Sequence, residues 1–427
     1  MNFSDSEIVA SILEEEGYVS TKDIRDADII FVNTCSIRDH AEQRVRKRLE
    51  YLQSLKRKNP RLVIGMLGCM AERLKTQLLE EEQVLDLLAG PDSYRDLPQM
   101  MAEVESGTKA INTLLSIDET YADISPVRYG SNGISAFISI MRGCGNYCAY
   151  CVVPYVRGQE RSRDAASVIL EAEVLFQKGF REVTLLGQNV NSYSWNSDGA
   201  KTSFALLLEK VAAVDPLLRV RFATSHPKDI SDELLQTMAR HNNICKAIHL
   251  PLQSGSTRIL GKMNRGYTRD KYLERIDAIR TFLPGCTVST DIIAGFCDET
   301  EDDHKETLSL MEQVGFDYAY MFRYSERPNT LAAERYSDDV PAGVKDRRLR
   351  EIIDLQQKLS FLSNKKDVGK TYEVLIEGWS KRSDDYFSGR NSQNKVVIFP
   401  VTGNNPGDYV RVKIARFTSA TLIGDAN

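Results

Sequence analysis

The chain has 427 residues, a formal net charge of −5 and eight cysteines, and 42% of its residues are hydrophobic. These values are ordinary for folded protein, so they exclude wholesale disorder and predict two or three domains. No apolar run approaches the roughly 18 residues of a membrane-spanning helix, and the first residues lack the segments of a signal peptide. We therefore expect a cytoplasmic protein without a membrane partner. The cysteines are too few for a disulfide scaffold.

Residues 1–128 alternate helical and strand patterns, which predicts a Rossmann- or flavodoxin-like α/β domain with a parallel sheet. Asp5 or Ser6 is expected to cap the first helix, because either side chain can accept a hydrogen bond from a free backbone N–H group. Short apolar runs at residues 27–33 and 62–67 predict buried strands. This segment carries a net charge of −7 and is the most acidic part of the chain.

Residues 129–364 predict a partial (βα)6 barrel, because six strand patterns alternate with helical patterns over this segment. A linker rich in Gly, Ser and Asn at residues 126–133 separates it from the first domain. The six predicted strands cover residues 136–141, 182–186, 220–223, 247–250, 286–293 and 318–324.

Residues 365–427 differ from the rest, because strand patterns separated by Gly and Asn replace the helices. Strands are predicted at residues 372–377, 396–399 and 409–415, which is typical of a small antiparallel β-barrel. This is the only part of the chain with a positive net charge, +3. The charge favours a nucleic-acid partner, and an ordinary solvated surface explains it equally well.

Three cysteines, Cys144, Cys148 and Cys151, lie within eight residues, directly after the first predicted barrel strand. Three thiolates at this spacing suit a 4Fe-4S cluster, which takes four ligands and would keep one iron open for another molecule. A structural zinc site needs a fourth Cys or His nearby, and the next His in the chain is His226. The spacing therefore predicts an iron–sulfur cluster in preference to zinc.

Two further cysteines, Cys35 and Cys69, each follow a predicted strand of the N-terminal sheet. The carboxyl ends of parallel strands share one edge of a sheet, so the two thiols can converge on a second metal centre. The alternative is two unrelated buried cysteines that pack as small apolar residues.

The Cys-x3-Cys-x2-Cys loop at the end of a barrel strand resembles that of the radical SAM superfamily. The resemblance implies that the open iron binds S-adenosylmethionine, and that an electron from the cluster releases a 5′-deoxyadenosyl radical. It also implies a set of residues that contact this cofactor: Tyr150, Gly187, Gln188, Asn189, Ser289, Asp291, Ile293 and Gly295. The alternatives are a plain core aromatic at Tyr150 and ordinary βα turns at Gly187 and Gly295.

A further resemblance rests on residues 2–7, 30–38, 67–72, 144–163, 189–193, 224–229, 249–256 and 389–391. These segments resemble the tRNA-modifying branch of the methylthiotransferase family. The resemblance implies that Cys35 and Cys69 hold a second 4Fe-4S cluster, that two S-adenosylmethionine molecules are used per turnover, and that residues 365–427 form a TRAM RNA-binding domain. The implied reaction adds a methylthio group to C2 of N6-isopentenyl (dimethylallyl) adenosine beside the anticodon.

The implied partners are the anticodon stem-loop of tRNA, an electron donor of the flavodoxin or ferredoxin type, and a sulfur donor, with the enzyme acting as a monomer. Basic runs at residues 44–48 and 56–58 are expected to contact RNA phosphates, or else to form a solvated helix face. Three other functions stay open: a methylthiotransferase acting on threonylcarbamoyl adenosine, one acting on a ribosomal protein, and a non-catalytic iron–sulfur RNA-binding protein.

At its N-terminus the chain departs from the family that it resembles. Family members begin with a strand that ends in a cysteine, and this cysteine is the first ligand of the second cluster. Here the matching sequence begins at Met1, so that strand and that cysteine would lie upstream. Either the sequence is truncated at its start, or the chain holds only two ligands of the second cluster. We expect truncation, because the sheet would otherwise lose a strand and expose an edge.

Overall fold

The structure, a computed structural model, describes residues 1–35, 39–128, 131–197 and 199–426. Within these residues the chain forms two compact units. The first contains residues 1–128, 141–147 and 151–163, and the second contains residues 131–140, 148–150 and 164–426. The motif residues 36–38 and the linker residues 129–130 lie outside the described part of the chain, and the three domain boundaries stay a prediction.

The first unit is built on a four-stranded parallel sheet in which the strands follow their order in the chain. This confirms the predicted α/β class. Its elements up to residue 112 are α1 (Asn2–Glu15), β1 (Ile29–Thr34), α2 (Asp39–Lys56), β2 (Val63–Gly68), α3 (Cys69–Glu81), β3 (Leu87–Ala89), α4 (Leu97–Glu105) and β4 (Ala110–Asn112).

Helices cover both faces of this sheet. Successive residues of a strand point to opposite faces, so each strand contributes side chains to the core on either side. On β2, Leu67 packs in one core cluster with residues of α1 and α4. Its neighbours Ile64 and Met66 belong to a second cluster with residues of α2 and α3. The near-continuous apolar sequence of β2 is therefore a consequence of its burial on both faces.

The prediction that Asp5 or Ser6 caps the first helix is wrong, because α1 begins at Asn2. Asp5 is fully buried and is used for ion pairing instead. Its carboxylate accepts hydrogen bonds from Arg142 Nη1 at 2.9 Å and from Arg157 Nη2 at 2.7 Å. Burial alone would raise the pKa of Asp5, but the two guanidinium groups outweigh it and lower the pKa to about 2.

The second unit contains six parallel strands with helices between them, which confirms the partial (βα)6 barrel. No helix among the described residues is both long and apolar enough to cross a membrane. From residue 135 to 365 the chain forms β5 (Ser135–Ser139), β6 (Met141–Arg142), α5 (Val153–Arg157), β7 (Arg161–Ser162), α6 (Ala165–Gln177), β8 (Glu182–Leu186), β9 (Ser194–Ser197), β10 (Ala200–Ser203), α7 (Phe204–Ala212), β11 (Arg219–Ala223), α8 (Asp232–Arg240), β12 (Ala247–His249), α9 (Thr257–Lys262), α10 (Arg269–Phe282), β13 (Thr287–Ala294), α11 (Glu301–Val314), β14 (Tyr318–Arg323), α12 (Leu331–Arg335) and α13 (Ala342–Lys365); of these, β6, α5 and β7 belong to the first unit.

The barrel sheet consists of two halves of three strands each. Strands β5, β8 and β11 pair in parallel, and so do β12, β13 and β14. An isolated parallel bridge between Val220 and Ile244 continues the sheet from β11 to the segment that leads into β12. The six strands therefore share one direction, and their carboxyl ends form one edge.

The C-terminal part of the chain contains the strands β15 (Thr371–Ser380), β16 (Ser383–Asn391), β17 (Val396–Pro400), β18 (Tyr409–Phe417) and β19 (Leu422–Ala426). They form a closed barrel in the order β15-β16-β17-β19-β18. The predicted antiparallel barrel is confirmed in all but one pairing, since β17 and β19 run parallel. The sequence patterns did not reveal β16 and β19, because each contains a glycine. Both glycines are needed where strands approach closely: a Cβ atom on Gly389 would lie 2.1 Å from the carbonyl oxygen of Leu375, and one on Gly424 would lie 2.3 Å from that of Lys413.

The last residues of β16 and the turn after it contact the amino-terminal edge of the (βα)6 barrel. Arg221 Nη2 donates to the carbonyl oxygen of Asn391 at 2.8 Å, and Arg219 Nη1 donates to that of Arg390 at 2.7 Å. Thr287 Oγ1 donates to the carbonyl oxygen of Gln393 at 2.7 Å. Hydrogen bonds thus connect the amino-terminal halves of β11 and β13 to the small barrel, which packs against the amino-terminal end of the larger one.

Replacing Arg221 with Ala is expected to lower the free energy of unfolding by about 3–5 kcal/mol. Arg221 Nε donates to Glu182 Oε2 at 2.8 Å, and both side chains are buried, so the variant keeps an unpaired carboxylate in the protein interior. Denaturant unfolding followed by circular dichroism measures the change. The control is Arg416→Ala, an exposed position where a change within about 0.5 kcal/mol is expected. Equal stability of the two variants would contradict the structural role of Arg221.

Candidate active site

Cys35 and Cys69 lie at the same edge of the N-terminal sheet. Each follows the last residue of its strand, and these two last residues, Thr34 and Gly68, are paired across β1 and β2. The hydroxyl of Thr34 fixes the two strand ends together, because it donates to the carbonyl oxygen of Leu67 at 2.7 Å. The predicted convergence of the two thiols on one sheet edge therefore agrees with the strand register.

Gly68 is required for the sharp turn from β2 into α3. Its φ is +87°, a region that residues with a side chain rarely adopt. A Cβ atom at this position would also lie 2.7 Å from Asn33 Oδ1 and 2.8 Å from the carbonyl oxygen of Thr34. The turn places Cys69 at the first residue of α3, where the free N–H groups of the helix favour negative charge.

Cys69 is buried beside a guanidinium group. Arg157 Nε donates to Cys69 Sγ at 3.3 Å, and its Nη2 binds Asp5, as described above. Burial raises the pKa of the Cys69 thiol, and the charge of Arg157 acts in the opposite direction. The arrangement supplies a positive counter-charge to a thiolate at this edge.

Glu72 is a second unusual group on α3. Its side chain is 2% exposed, Lys75 Nζ lies 3.3 Å from Oε1, and Oε2 has no hydrogen-bond partner among the described residues. Burial raises the pKa of Glu72 to about 7, although Lys75 opposes the shift. A carboxyl group in this state can donate a proton or a hydrogen bond near neutral pH.

Cys144, Cys148 and Cys151 lie on the loop that follows β6, as predicted. Arg265 Nη1 donates to Cys148 Sγ at 3.1 Å, which is a charge-assisted contact to the sulfur. The loop is held by backbone hydrogen bonds on both sides of its middle residues. Cys144 N donates to the carbonyl oxygen of Gly158 at 3.2 Å, and Ala149 N donates to that of Met263 at 2.8 Å.

The donor set of this loop fits an iron–sulfur cluster. All the cysteines of the chain are free thiols, and thiolate is the ligand that such clusters take. Among the described residues, no three His, Cys, Asp or Glu side chains lie close enough together to hold a metal ion. The fit therefore rests on the chemistry of the three thiols and on their spacing along one short loop.

The carboxyl ends of β8 and β11 carry buried polar atoms that lack a partner. The predicted residues Gln188 and Asn189 are among them, and Gly187 is buried directly before them. Unpaired buried polar atoms are rare and costly in folded proteins, so a group of them indicates a ligand or ordered water. Within the described part of the chain these atoms are Gln188 Oε1, Asn189 Oδ1, Asn191 Nδ2, Ser225 Oγ and His226 Nε2.

Hydrogen bonds to neighbouring groups define the roles of these atoms. Burial lowers the pKa of His226 to about 2, with Arg265 and Lys228 acting in the same direction, so the ring is neutral at working pH. Lys228 N donates to His226 Nδ1 at 3.3 Å, which places the ring proton on Nε2. Asn191 Oδ1 accepts from His226 N at 3.2 Å, so its Nδ2 is a free donor. The carboxyl ends of β8 and β11 therefore offer two donors, Asn191 Nδ2 and His226 Nε2, and two amide acceptors, Gln188 Oε1 and Asn189 Oδ1. The donors complement the carboxylate of an amino acid, and the acceptors complement its ammonium group.

The predicted residues of β13 share one face of the strand. Ser289, Asp291 and Ile293 are half-buried, while the residues between them are buried, in agreement with the two-residue period. His249, at the end of β12, joins them: its Nδ1 lies 3.0 Å from Ser289 Oγ, and its Nε2 lies 3.4 Å from Asp291 Oδ2. The interior face of the barrel thus carries a polar cluster at these two strands.

Two other predicted positions, Tyr150 and Gly295, have well-defined surroundings. Tyr150 Oη accepts from Arg265 Nη1 at 3.4 Å, and its ring packs against an apolar cluster that contains Phe296 and Tyr324. Gly295 has a φ of +72°, and a Cβ atom there would lie 2.4 Å from Lys345 Cγ. A turn role for Gly295 is therefore sufficient to explain its identity.

Arg157 and Arg265, which donate to two of the cysteines, were not singled out in the sequence. Neither has a spacing pattern that relates it to a cysteine, since Arg265 is 117 positions from Cys148 and Arg157 is 88 positions from Cys69. The available signal was indirect: Arg157 lies in an arginine-rich segment directly after the cysteine loop. Three-dimensional proximity alone assigns their roles.

Three family models match the chain. The model described as uncharacterized protein family UPF0004 covers residues 1–90, the radical SAM superfamily covers residues 138–311, and the TRAM domain covers residues 365–426. The radical SAM match implies a 4Fe-4S cluster and S-adenosylmethionine as cofactors, and the TRAM match indicates RNA binding.

Solved structures of low sequence identity share the fold. The radical S-adenosylmethionine methyltransferase TsrM from Kitasatospora setae matches with a TM-score of 0.60 at 15% identity, over 77% of this chain and 73% of that chain. The cobalamin-dependent S-adenosylmethionine radical enzyme OxsB matches with a TM-score of 0.53 at 14% identity, over 83% of this chain and 53% of that chain. These structures show the shared fold, and the radical SAM family model over residues 138–311 places the chain among the radical SAM enzymes.

Relatives of high identity define the family within that class. Proteins named tRNA-2-methylthio-N(6)-dimethylallyladenosine synthase from Amoebophilus asiaticus, Chloroherpeton thalassium and Parabacteroides distasonis are 58%, 57% and 56% identical to this chain. The matches cover all of this chain and 90%, 94% and 93% of the relatives' own lengths. The chain belongs to the family of tRNA-2-methylthio-N(6)-dimethylallyladenosine synthases.

Replacing Glu72 with Gln is expected to stabilise the protein at alkaline pH. The folded-state pKa of about 7 lies above the ordinary value of 4.5, so Glu72 lowers stability as pH rises from about 4.5 to 7, and the penalty then stays constant. The variant should gain about 1–3 kcal/mol at pH 8 and nothing at pH 4.5. Denaturant unfolding at both pH values measures this, with the exposed Glu80→Gln as the control. A gain of equal size at both pH values would contradict the raised pKa.

Proposed function

We propose that this protein adds a methylthio group to C2 of N6-dimethylallyladenosine in tRNA. The observation that carries the proposal is the identity of 56–58% to the named relatives over the whole chain. All three relatives carry the dimethylallyladenosine name, which favours this substrate over threonylcarbamoyl adenosine and over a ribosomal protein. The radical SAM match disfavours a non-catalytic iron–sulfur protein.

Two 4Fe-4S clusters are part of this proposal. Cys144, Cys148 and Cys151 would hold the first, and Cys35 and Cys69 would be ligands of the second. When bound, the first cluster with S-adenosylmethionine supplies a 5′-deoxyadenosyl radical, and the second supplies the sulfur. Arg265 and Arg157 donate to Cys148 and Cys69 and so balance the negative charge of thiolates in a buried setting.

S-adenosylmethionine would bind at the carboxyl edge of the barrel. Gln188 and Asn189 provide acceptors for its ammonium group, while Asn191 and His226 provide donors for its carboxylate. Because His226 is neutral, it donates through Nε2 without changing its charge over the working pH range. The proposed set includes the predicted contacts at Tyr150, Gly187, Ser289, Asp291, Ile293 and Gly295.

The target adenine would enter the interior of the (βα)6 barrel. RNA bases in loops can be splayed out and stacked on aromatic side chains. The edge strand β14 offers two exposed tyrosines, Tyr318 and Tyr320, whose ring centroids lie 4.9 Å apart. Tyr320 also contacts His249 edge to face, at 5.8 Å between centroids. These aromatic rings support a base-binding role for the interior face.

The proposed partners follow from the same reaction. The methylthio group must come from a sulfur donor, and cleavage of S-adenosylmethionine needs an electron donor of the flavodoxin or ferredoxin type. The substrate would be presented as the anticodon stem-loop of tRNA, and the enzyme would act as a monomer.

The two sets of cysteines are expected to have separable roles. Replacing Cys144, Cys148 and Cys151 with Ala should abolish reductant-dependent release of 5′-deoxyadenosine. Replacing Cys35 and Cys69 with Ala should preserve that release and abolish the methylthiolated nucleoside. Mass spectrometry of both products measures the outcome after anaerobic reconstitution, with Cys286→Ala as a control outside both sets. Release of 5′-deoxyadenosine by the triple variant would refute the assignment of the first cluster.

Cells that lack this protein provide the test of the substrate. Their tRNA should contain N6-dimethylallyladenosine and lack only its 2-methylthio derivative, as measured by nucleoside mass spectrometry. Loss of the methylthio derivative of threonylcarbamoyl adenosine instead would assign the protein to the other tRNA substrate.

A further inference from the structure

The short helix α5 lies between the two sets of cysteines. It begins two residues after Cys151, the last cysteine of the loop. Cys144 and Cys151 belong to the first compact unit, as do Cys35 and Cys69. Contacts within this one unit therefore determine how the ends of the loop are placed relative to the second pair of cysteines.

The start of α5 packs directly against Cys69. Val152, which follows Cys151 in the chain, forms a small buried cluster with Val156 and Cys69. Val156 N donates to the carbonyl oxygen of Val152 at 3.2 Å, so the two valines lie on one turn of helix. Because this apolar contact begins at the residue next to Cys151, it holds the end of the loop near the first turn of α3.

The end of α5 is fixed by Arg157. Its Nε donates to Cys69 Sγ at 3.3 Å and its Nη2 to Asp5 Oδ2 at 2.7 Å, as described above. Its backbone carbonyl oxygen accepts from Arg161 Nη2 at 3.1 Å, and Arg161 in turn pairs with Asp92. A planar guanidinium group that is bonded in two directions keeps one orientation, so Arg157 sets the position of Cys69 relative to α5.

The first cysteine of the loop is bonded to the same end of α5. Gly158, the residue after the helix, has a φ of +69°, and its carbonyl oxygen accepts from Cys144 N at 3.2 Å. The approach is close, because a Cβ atom on Gly143 would lie 1.9 Å from the carbonyl oxygen of Gln159. The two ends of α5 are therefore joined to the first and last cysteines of the loop, and its side packs on the first residue of α3.

From these contacts we propose that α5 is a spacer, fixed by Arg157, that sets the separation between the two cluster sites. The proposal rests on the function proposed above. Sulfur from the second site can be transferred only if it lies within reach of the adenine carbon from which the radical removes hydrogen, and small errors in such distances lower a rate severely. Arg157 is therefore a positioning residue, because it acts through Cys69 and α5.

A weaker attachment of α5 should uncouple radical formation from sulfur transfer. In Arg157→Met the side chain keeps a similar bulk and loses both hydrogen bonds, while Asp5 keeps its ion pair with Arg142. After anaerobic reconstitution of the full chain, release of 5′-deoxyadenosine should stay within about twofold, and the yield of methylthiolated nucleoside per 5′-deoxyadenosine should fall about tenfold. Mass spectrometry measures both products.

Electron paramagnetic resonance measures the separation itself. When both clusters are reduced, the dipolar interaction between them depends steeply on their distance, so it should change in Arg157→Met at unchanged iron content. A residue that only stabilised the fold would lower the iron content or the unfolding midpoint and leave this interaction unchanged.

Val156→Ala tests the same spacer without removing a charge. It leaves a gap beside Cys69 and keeps Arg157, so the product ratio and the dipolar interaction should change in the same direction and by less. This variant decides the question if Arg157→Met loses iron. The control is Arg221→Met, which removes a buried arginine whose bonds among the described residues go to Glu182 and to the C-terminal barrel. It should keep both the product ratio and the dipolar interaction.

An unchanged dipolar interaction in Arg157→Met and Val156→Ala would overturn the proposal, even with a lower product ratio, because the separation would then not be the cause. An equal fall of the ratio in the control would also overturn it, since lost stability alone would explain the effect. If the unmodified protein makes no methylthiolated nucleoside from tRNA, the proposed function fails, whereas the dipolar interaction still reports whether Arg157 sets the separation.

Discussion

Parallel strands share a direction, and this constraint determines where the chemistry of this protein can be located. In the first unit, Cys35 and Cys69 follow strands whose last residues are paired. In the second unit, residues 187–189 and 224–226 follow β8 and β11, which are paired in the same way. A side chain directly after a parallel strand is brought beside its counterpart from the next strand, whatever their distance in sequence. The sheets therefore assemble both candidate edges without long functional loops.

Buried arginines connect segments that no strand pairing joins. A buried guanidinium group needs several acceptors, so it fixes each segment that provides one. Arg157 links Cys69 to Asp5 in the first unit. Arg265 links Cys148, Tyr150 and the carbonyl oxygen of Pro251 in the second. Each residue acts on a cysteine and on the framework around it at the same time.

Much of the fold could be predicted from the sequence, because β8, β13 and β14 have apolar patterns bounded by turn residues. The two missed barrel strands contain Gly389 and Gly424, whose close contacts with a neighbouring backbone are set by tertiary packing. The helix start at Asn2 was also missed, since local capping rules do not include the ion pairs of Asp5 with distant arginines. For the candidate site, cysteine spacing identified the thiols. The unpaired polar atoms of Asn191 and His226 could be recognised only once neighbouring side chains had been placed.

The contact between the (βα)6 barrel and the turn at Asn391 has a consequence for biosynthesis. Strands β8, β11 and β13 leave the ribosome well before the residues that bind Arg219 and Arg221, because the chain is made from its N-terminus. Until the strands of the C-terminal barrel have emerged, water must solvate these guanidinium groups and the amino-terminal end of the nascent (βα)6 barrel. The six-stranded domain is therefore expected to reach its native state only after translation of the C-terminal barrel. On a ribosome that stalls before that point, the domain would stay incompletely folded.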